Sequence, residues 1–155
     1  LAPGYRVGWI APGKFKDAII RQKHIHLIST PTLNQEVVAR FMENDRYENH
    51  LRKLRHELHA NSLHFAQSII DYFPEDTKII TPQGGFMLWV ELDKRIDTTT
   101  LYYKAMQQKI SIAPGRMFTL QDQYKNCMRL SYGQRWSPFI EERLMLLGNI
   151  IRKSF

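Results

Sequence analysis

The chain has 155 residues, of which 43% are hydrophobic and 24% charged, and its formal net charge is +7. This length and composition allow one modest core and are typical of a globular protein rather than a disordered or membrane protein. A single cysteine, Cys127, excludes an intramolecular disulfide and a multi-cysteine zinc site. No apolar run reaches the roughly 18 residues of a membrane span, so we expect a cytoplasmic protein.

The positive charge does not by itself indicate a nucleic-acid interface. Clustered basic side chains would neutralise phosphates, but the basic residues here are spread along the chain. The densest group is interleaved with acidic residues, as on a solvated helix face, and comprises Arg46, Arg52, Lys53 and Arg55 beside Glu48 and Glu57. We therefore expect no direct contact between this chain and DNA.

Two helices are predicted after an opening strand candidate at residues 1–10. The first helix runs from Lys14 to about Ile28, where Thr30-Pro31 breaks it. Thr32, with Gln35 three residues later, predicts a capping box at the start of the second helix. Its predicted buried face consists of Leu33, Val37, Val38 and Phe41, and a loop is expected at Asn44-Asp45.

A long helix is predicted over residues 46–73. Apolar side chains recur there at steps of three and four residues, which forms one stripe over many turns. The stripe consists of Tyr47, Leu51, Leu54, Leu58, Phe65, Ile69 and Tyr72. At 1.5 Å per residue the helix would be about 40 Å long, and Pro74 would end it.

From residue 77 the pattern changes to period two, which predicts strands. Strands are expected at 77–80, 86–92, 110–113 and 127–132, with a turn at 82–85 between the first two. Asp97 is the expected N-cap of a helix to Gln108, and Ser137-Pro138 begins a last helix. The order β-β-α-β-β-α predicts an α/β (α+β) fold with a small antiparallel sheet and helices on one face.

Alternation within two strands separates an apolar face from a polar one. In the second strand Phe86, Leu88, Val90 and Leu92 are expected to face one way. In the last strand Met128, Leu130 and Tyr132 share one face, so Arg129 is expected to point to a cleft or to water.

Two arginines in apolar surroundings indicate an anion site. Arg6 lies between two glycines and ahead of an apolar run, and Arg129 lies in a short, mostly apolar strand. A guanidinium keeps its charge and presents a planar fork of donors, so burial beside apolar residues is costly unless an anion meets it. Together the two arginines predict a site for the opposite ends of a dianionic ligand.

Four runs in order resemble motifs of the fold-type-I aminotransferases that use pyridoxal 5'-phosphate. The run LAPGYRVG at 1–8 is similar to the segment after the Schiff-base lysine of that family. TPQGGFMLW at 81–89, IAPGRMF at 112–118 and NCMRL at 126–130 resemble its later strand, turn and arginine segments. The resemblance implies a remnant of the large cofactor domain at 1–45, a linking helix at 46–73 and the C-terminal small domain at 74–155.

The resemblance also implies roles for the two arginines. Arg6 would contact the cofactor phosphate, and Arg129 would bind the carboxylate of an amino acid or related amino compound. From the residues alone, Arg6 could instead hold a loop through backbone carbonyls, and Arg129 could form a surface ion pair. The Schiff-base lysine would lie upstream of Leu1, so we expect no catalytic residue here and no activity of this chain alone.

Within this family, the residues of three motifs favour a resemblance to the aminotransferase-like domain of MocR/GntR-type transcriptional regulators. GWIAPGKF at 8–15 and the two later runs APGRMF and YKNCMRL carry this preference. Such a regulator would form a homodimer and contact DNA only through a fused upstream domain. A free aminotransferase and a cofactor-free interaction domain are the alternatives.

Other reactive side chains do not form a convincing site. His56 and His59 have the one-turn spacing of a helical metal site, but they lack a third ligand at a suitable spacing. Cys127 is expected to be a small buried hydrophobe, since nothing in the sequence would lower its pKa. We therefore predict no metal site and no cysteine nucleophile. Gly84, Gly85 and the 113–115 turn are expected to serve the backbone, and no role is assigned to Arg116.

Overall fold

The computed structural model describes residues 3–27, 29–43, 46–80 and 82–155. The chain divides into two compact units, Leu1–Lys53 and Leu54–Phe155. The helices that begin in the first unit are α1 (Lys16–His26), α2 (Thr32–Met42) and α3 (Arg46–Tyr72), with short 3-10 helices at Pro3–Tyr5 and Gly13–Phe15. The long helix α3 is confirmed, and the assignment of 1–45, 46–73 and 74–155 to separate parts of a larger fold stays a prediction.

The prediction of an opening strand is wrong for the described part of that segment. Pro3–Tyr5 is a 3-10 helix, and residues 6–12 have no regular structure. Arg6 has a φ of 53°, in the left-handed region, which interrupts an extended backbone. A strand also needs a neighbour for its hydrogen bonds, and within residues 3–27 there is no other strand to pair with. Leu1 and Ala2 lie outside the described residues.

The start of α2 differs from the predicted capping box. Thr32 is the first helical residue, and Pro31 occupies the cap position without a side-chain bond. The amide of Gln35 instead donates from Nε2 to the carbonyl of Thr30 at 2.9 Å. The predicted box fails because the backbone turns into the helix one residue too early for the Thr32 hydroxyl to act as the cap.

The predicted buried face of α2 is not buried. Leu33 is 74% exposed, Val37 is also exposed, and no described residue up to Lys53 is buried. Two short helices with irregular connections cannot enclose a core of their own. The expected loop at Asn44-Asp45 and the expected helix end at Ile28 fall on residues outside those that the structure describes.

The second unit contains a four-stranded antiparallel sheet, as the period-two pattern predicts. The strands are β1 (Lys78–Ile80), β2 (Met87–Glu91), β3 (Ala113–Pro114) and β4 (Cys127–Ser131), in the order β1-β2-β4-β3. Helix α4 (Thr98–Gln107) connects β2 to β3, and α5 (Pro138–Arg152) ends the unit. The predicted mixed α/β class is confirmed, although β3 is shorter than the expected 110–113 strand and begins three residues later.

One face of the sheet forms the core against the helices. The alternating side chains Leu88, Val90, Met128 and Leu130 are buried. The helices cover them with Phe65 and Ile69 of α3, Leu101 and Ala105 of α4, and Leu144, Leu147 and Ile151 of α5. Phe86 lies just before β2 begins, and its side chain is 48% exposed and outside the core. Thr81, in the same predicted motif, lies outside the described residues.

Local capping signals in the second unit are confirmed. Oδ1 of Asp97 accepts a hydrogen bond from the backbone N–H of Thr99 at 2.8 Å, at the start of α4. Ser137 caps α5 by accepting from the N–H of Ile140, with Pro138 in the first turn. Across the ranges that are described, no helix is long and apolar enough to pass through a membrane.

Candidate functional site

Arg129 lies on the outer face of the sheet, opposite the core. It occupies the middle of β4, between β2 and β3, where Trp89 and Ala113 are its partners in register. Its neighbours Met128 and Leu130 point into the core, with exposed fractions of 0% and 6%. The strand alternation therefore places Arg129 where the sequence predicts it.

The guanidinium of Arg129 has an aromatic neighbour and no acidic one. Its Cζ atom lies 4.2 Å from the centre of the Phe118 ring, which is within range of a cation–π contact. The Nε atom is buried without a hydrogen-bond partner. Among the described side chains, no carboxylate oxygen lies within 4.0 Å of the group. The predicted alternative of a surface ion pair finds no support in these contacts.

An aromatic cluster, formed by Trp89, Phe118 and Tyr124, adjoins Arg129. The Trp89 and Phe118 ring centres are 5.8 Å apart at 66°, and those of Trp89 and Tyr124 are 5.4 Å apart at 88°. Both geometries are the edge-to-face arrangement that aromatic rings prefer. Sequence reasoning missed this cluster. Strand alternation could have placed Trp89 and Arg129 on the same face of the sheet. It could not have placed the rings of Phe118 and Tyr124, because both residues lie outside the strands.

Gly115 explains how the loop reaches the strand. It begins the 3-10 helix Gly115–Phe118 and is buried. A Cβ atom at this position would lie 2.9 Å from the carbonyl oxygen of Cys127 and 2.8 Å from the Cβ atom of Tyr124. Only a residue without a side chain allows this close approach, which brings the turn containing Phe118 against β4.

Arg116 differs from Arg129 because its guanidinium has carboxylate partners. Its terminal nitrogen lies 3.4 Å from Asp122 and 4.0 Å from Asp97, and its side chain is partly exposed. A hydrogen bond from Lys125, together with the charges of Lys125 and Arg116, lowers the pKa of Asp122. These exposed pairs give Arg116 the acidic neighbours that Arg129 lacks among the described side chains.

Arg6 lies in the first unit, in a conformation unusual for its residue type. Its left-handed backbone, with φ of 53°, costs on the order of 1 kcal/mol for a residue with a side chain. The amide of Asn34 donates from Nδ2 to the carbonyl of Tyr5 at 2.8 Å, which ties the preceding peptide to α2. Such strain persists where the surroundings hold it, and it is frequent at ligand sites.

A cavity of about 700 Å³ includes Arg6 in its lining. Lys23 and His26 of α1 are the other basic side chains of this lining, and none of its residues is acidic. Over the part of the chain that the structure describes, no hydrogen bond or ion pair engages the Arg6 guanidinium. The role of Arg6 as a phosphate contact or as a loop-holding residue stays a prediction. Because Arg6 and Arg129 belong to different units, their convergence on one ligand stays a prediction.

The cysteine and the histidines considered in the sequence analysis show no arrangement for catalysis among the described residues. Burial and the negative charge of Glu91 raise the pKa of the Cys127 thiol, so this group is protonated near neutral pH. His64 stacks on Trp136 with 5.1 Å between ring centres. In the described ranges, no three histidine, cysteine or acidic side chains are grouped as a metal site would need.

Comparison with known proteins agrees with this architecture. Residues 1–135 match the family model described as aminotransferase class I and II. The chain is 32% identical over 99% of its length to YjiR, an uncharacterized HTH-type transcriptional regulator of Escherichia coli, and covers 33% of that protein. It is 27% identical over 99% of its length to aromatic-amino-acid aminotransferase 1 of Thermococcus litoralis, covering 37% of it.

A solved structure shows the same fold. The kynurenine aminotransferase of Pyrococcus horikoshii superposes with a TM-score of 0.86 at 27% identity, over 100% of this chain and 39% of that one. The architecture is therefore that of the C-terminal part of a fold-type-I aminotransferase. The chain belongs to the aminotransferase class I and II family, which confirms the resemblance found in its motifs. It spans about a third of the length of the curated relatives that it matches.

Proposed function

We propose that this chain is the C-terminal part of the aminotransferase-like domain of a MocR/GntR-type transcriptional regulator, which binds pyridoxal 5'-phosphate and an amino-acid-like ligand. The observation that carries the proposal is Arg129. Its charge lies on a half-buried sheet face, its Nε atom is buried without an acceptor, and no described carboxylate neutralises it. A ligand carboxylate would neutralise this charge by pairing with the terminal nitrogens of the guanidinium.

The residues of the first unit fit the phosphate of the cofactor. Arg6, Lys23 and His26 provide basic donors in one cavity whose lining contains no acidic side chain. A phosphate dianion would be favoured by such a donor set, and a guanidinium can hold two of its oxygens at once. Pyridoxal phosphate, when bound, supplies an electron sink for reactions at the α-carbon of an amino compound.

Arg129 would bind and orient the amino compound. Its planar fork can donate two parallel hydrogen bonds to one carboxylate, and such a pairing sets direction as well as affinity. The carboxylate would then be held in one orientation, which fixes the bonds of the α-carbon relative to the rest of the site. The proposed domain assignment of 1–45, 46–73 and 74–155 places the two arginines in the large and small domains respectively.

The regulator is favoured over a free aminotransferase by the relatives. YjiR is named an HTH-type transcriptional regulator and is more similar to this chain than the Thermococcus litoralis aminotransferase. On this proposal DNA is bound by a fused domain, and the protein is a cytoplasmic homodimer.

The cofactor role of Arg6 can be tested by Arg6→Gln in the intact protein. Loss of the charge-assisted bonds is expected to weaken binding of pyridoxal phosphate by about 10-fold to 150-fold. Equilibrium dialysis measures this affinity directly. Arg21→Gln is the matched control, because Arg21 lies on α1 but does not line the cavity. Equal affinities of the two variants would contradict the proposed phosphate contact.

Regulator and enzyme can be separated with the intact protein and a panel of amino acids. For the regulator we expect an amino compound to change the affinity for promoter DNA, with no accumulation of 2-oxo acid. Fluorescence anisotropy of labelled DNA and chromatographic assay of 2-oxo acids give the two measurements. Turnover of amino acids with unchanged DNA affinity would instead establish the free aminotransferase.

A further inference from the structure

The aromatic cluster beside Arg129 raises the question of what keeps an unpaired guanidinium in place. A free arginine side chain has considerable rotamer freedom and loses it when the charge is held in one position. In this structure neither a carboxylate nor a hydrogen bond from Nε supplies that restraint among the described residues. The Phe118 ring, 4.2 Å from Cζ, is a contact that can do so.

The position of Phe118 is itself well supported. Its ring packs edge-to-face on Trp89, and Trp89 is paired in register with Arg129 across the sheet. Gly115 lets the turn that carries Phe118 approach β4. Phe118 is 40% exposed and does not belong to the hydrophobic core of the second unit.

The contact with Phe118 and the binding of a ligand make different demands on the guanidinium. In a cation–π contact the positive charge lies over the face of the aromatic ring, and the ring is not a carboxylate or carbonyl acceptor. The ring therefore does not take up the N–H donors as an ion pair would do. It also compensates part of the charge without competing for the hydrogen bonds, as an acidic partner would do.

We propose that Phe118 is a positioning residue for Arg129, which holds the guanidinium through the cation–π contact so that its donors are preorganised for a ligand carboxylate. Trp89 supports the ring from the sheet. This inference rests on the proposed carboxylate role of Arg129 and extends it to a residue that does not itself bind the ligand. The occupant is a monocarboxylate, as in an amino acid.

The test titrates the intact protein with 3-phenylpropionate, a monocarboxylate that has no amino group to react with the cofactor. Binding and the side-chain Nε–H signal of Arg129 are followed by NMR, and the signal is assigned by its loss in Arg129→Gln. Phe118→Leu removes the ring and keeps apolar volume, Phe118→Tyr keeps the ring, and Met117→Leu changes the neighbouring residue, which is 71% exposed. Thermal unfolding of each variant checks the fold.

For Phe118→Leu we expect the dissociation constant to rise about 3-fold to 30-fold, together with a shifted Arg129 signal. Phe118→Tyr and Met117→Leu should stay close to the parent chain in both measurements. If Phe118→Leu only lowers the unfolding temperature and binds as tightly as the parent, Phe118 is a packing residue and the inference is wrong.

The arginine variant separates this inference from the proposed function. Should the parent chain bind the probe and Arg129→Gln lose it, the carboxylate role stands, and the Phe118 variants alone decide the inference. Should the parent chain and Arg129→Gln show the same affinity, or no binding, the carboxylate role fails and the inference fails with it.

Discussion

Replacement of Arg129 by glutamine is expected to weaken binding of a monocarboxylate by about 10-fold to 150-fold, since charge-assisted hydrogen bonds contribute roughly 1.5–3 kcal/mol. Glutamine keeps a polar side chain of similar reach but loses the charge and the donor fork. Arg129→Lys keeps the charge without the fork, so its affinity should fall between those of the parent chain and Arg129→Gln. Isothermal titration calorimetry with 3-phenylpropionate measures the three affinities.

The stability of Arg129→Gln provides an independent check on the same prediction. In the parent chain the Nε atom is buried without an acceptor, and no described carboxylate pairs with the charge. Removal of such a charge should leave the free energy of unfolding unchanged or raise it, because an unpaired, partly desolvated charge is costly. A ligand site that sacrifices stability for binding behaves in this way.

Arg116→Gln is the matched control for charge. Arg116 has Asp122 at 3.4 Å and Asp97 at 4.0 Å, all of them partly exposed, and the affinity for the carboxylate should not change. A large loss of stability in Arg129→Gln with little loss of binding would show that Arg129 supports the fold. The carboxylate role would then have to be abandoned.

Replacement of Gly148 by alanine is expected to destabilise the second unit by about 2 kcal/mol or more. Gly148 is buried in α5, and an added Cβ atom would overlap the backbone carbonyl of Tyr72. It would also lie 3.2 Å from the Phe73 ring. Rotation of a side chain cannot remove this overlap, because the atom in the way belongs to the backbone at the end of α3.

The sign of this effect opposes helix propensity. In a helix interior alanine is favoured over glycine by about 1 kcal/mol, so a helix without the close contact would be stabilised. Urea unfolding followed by circular dichroism measures the difference. Gly84→Ala is the control, because a Cβ atom there meets nothing within 4 Å. If Gly148→Ala is as stable as the parent chain, α3 and α5 do not approach as closely as described.

The elements predicted in the second unit were determined by local signals. Asp97 and Ser137 cap their helices through side chains a few residues from the N–H groups they accept from. Strand alternation likewise predicted that Arg129 lies opposite Met128 and Leu130. These features depend on neighbouring residues and on a fixed period, so they can be inferred without the path of the whole chain.

The first unit shows where that reasoning fails. The apolar spacing of α2 predicted a buried face, yet Leu33 is 74% exposed. Periodicity identifies which side of a helix is apolar, but not what covers that side. The opening strand failed for a related reason, because an extended segment becomes a strand only beside a partner that local sequence does not specify.

The family, the α/β class and the outward position of Arg129 follow from residue patterns, because motif order and strand period are properties of the linear chain. The aromatic cluster around that arginine does not follow from them. Phe118 and Tyr124 lie on a loop that reaches Trp89 only through the close approach at Gly115. Contacts between distant segments depend on how the backbone packs, and the tertiary structure alone decided them.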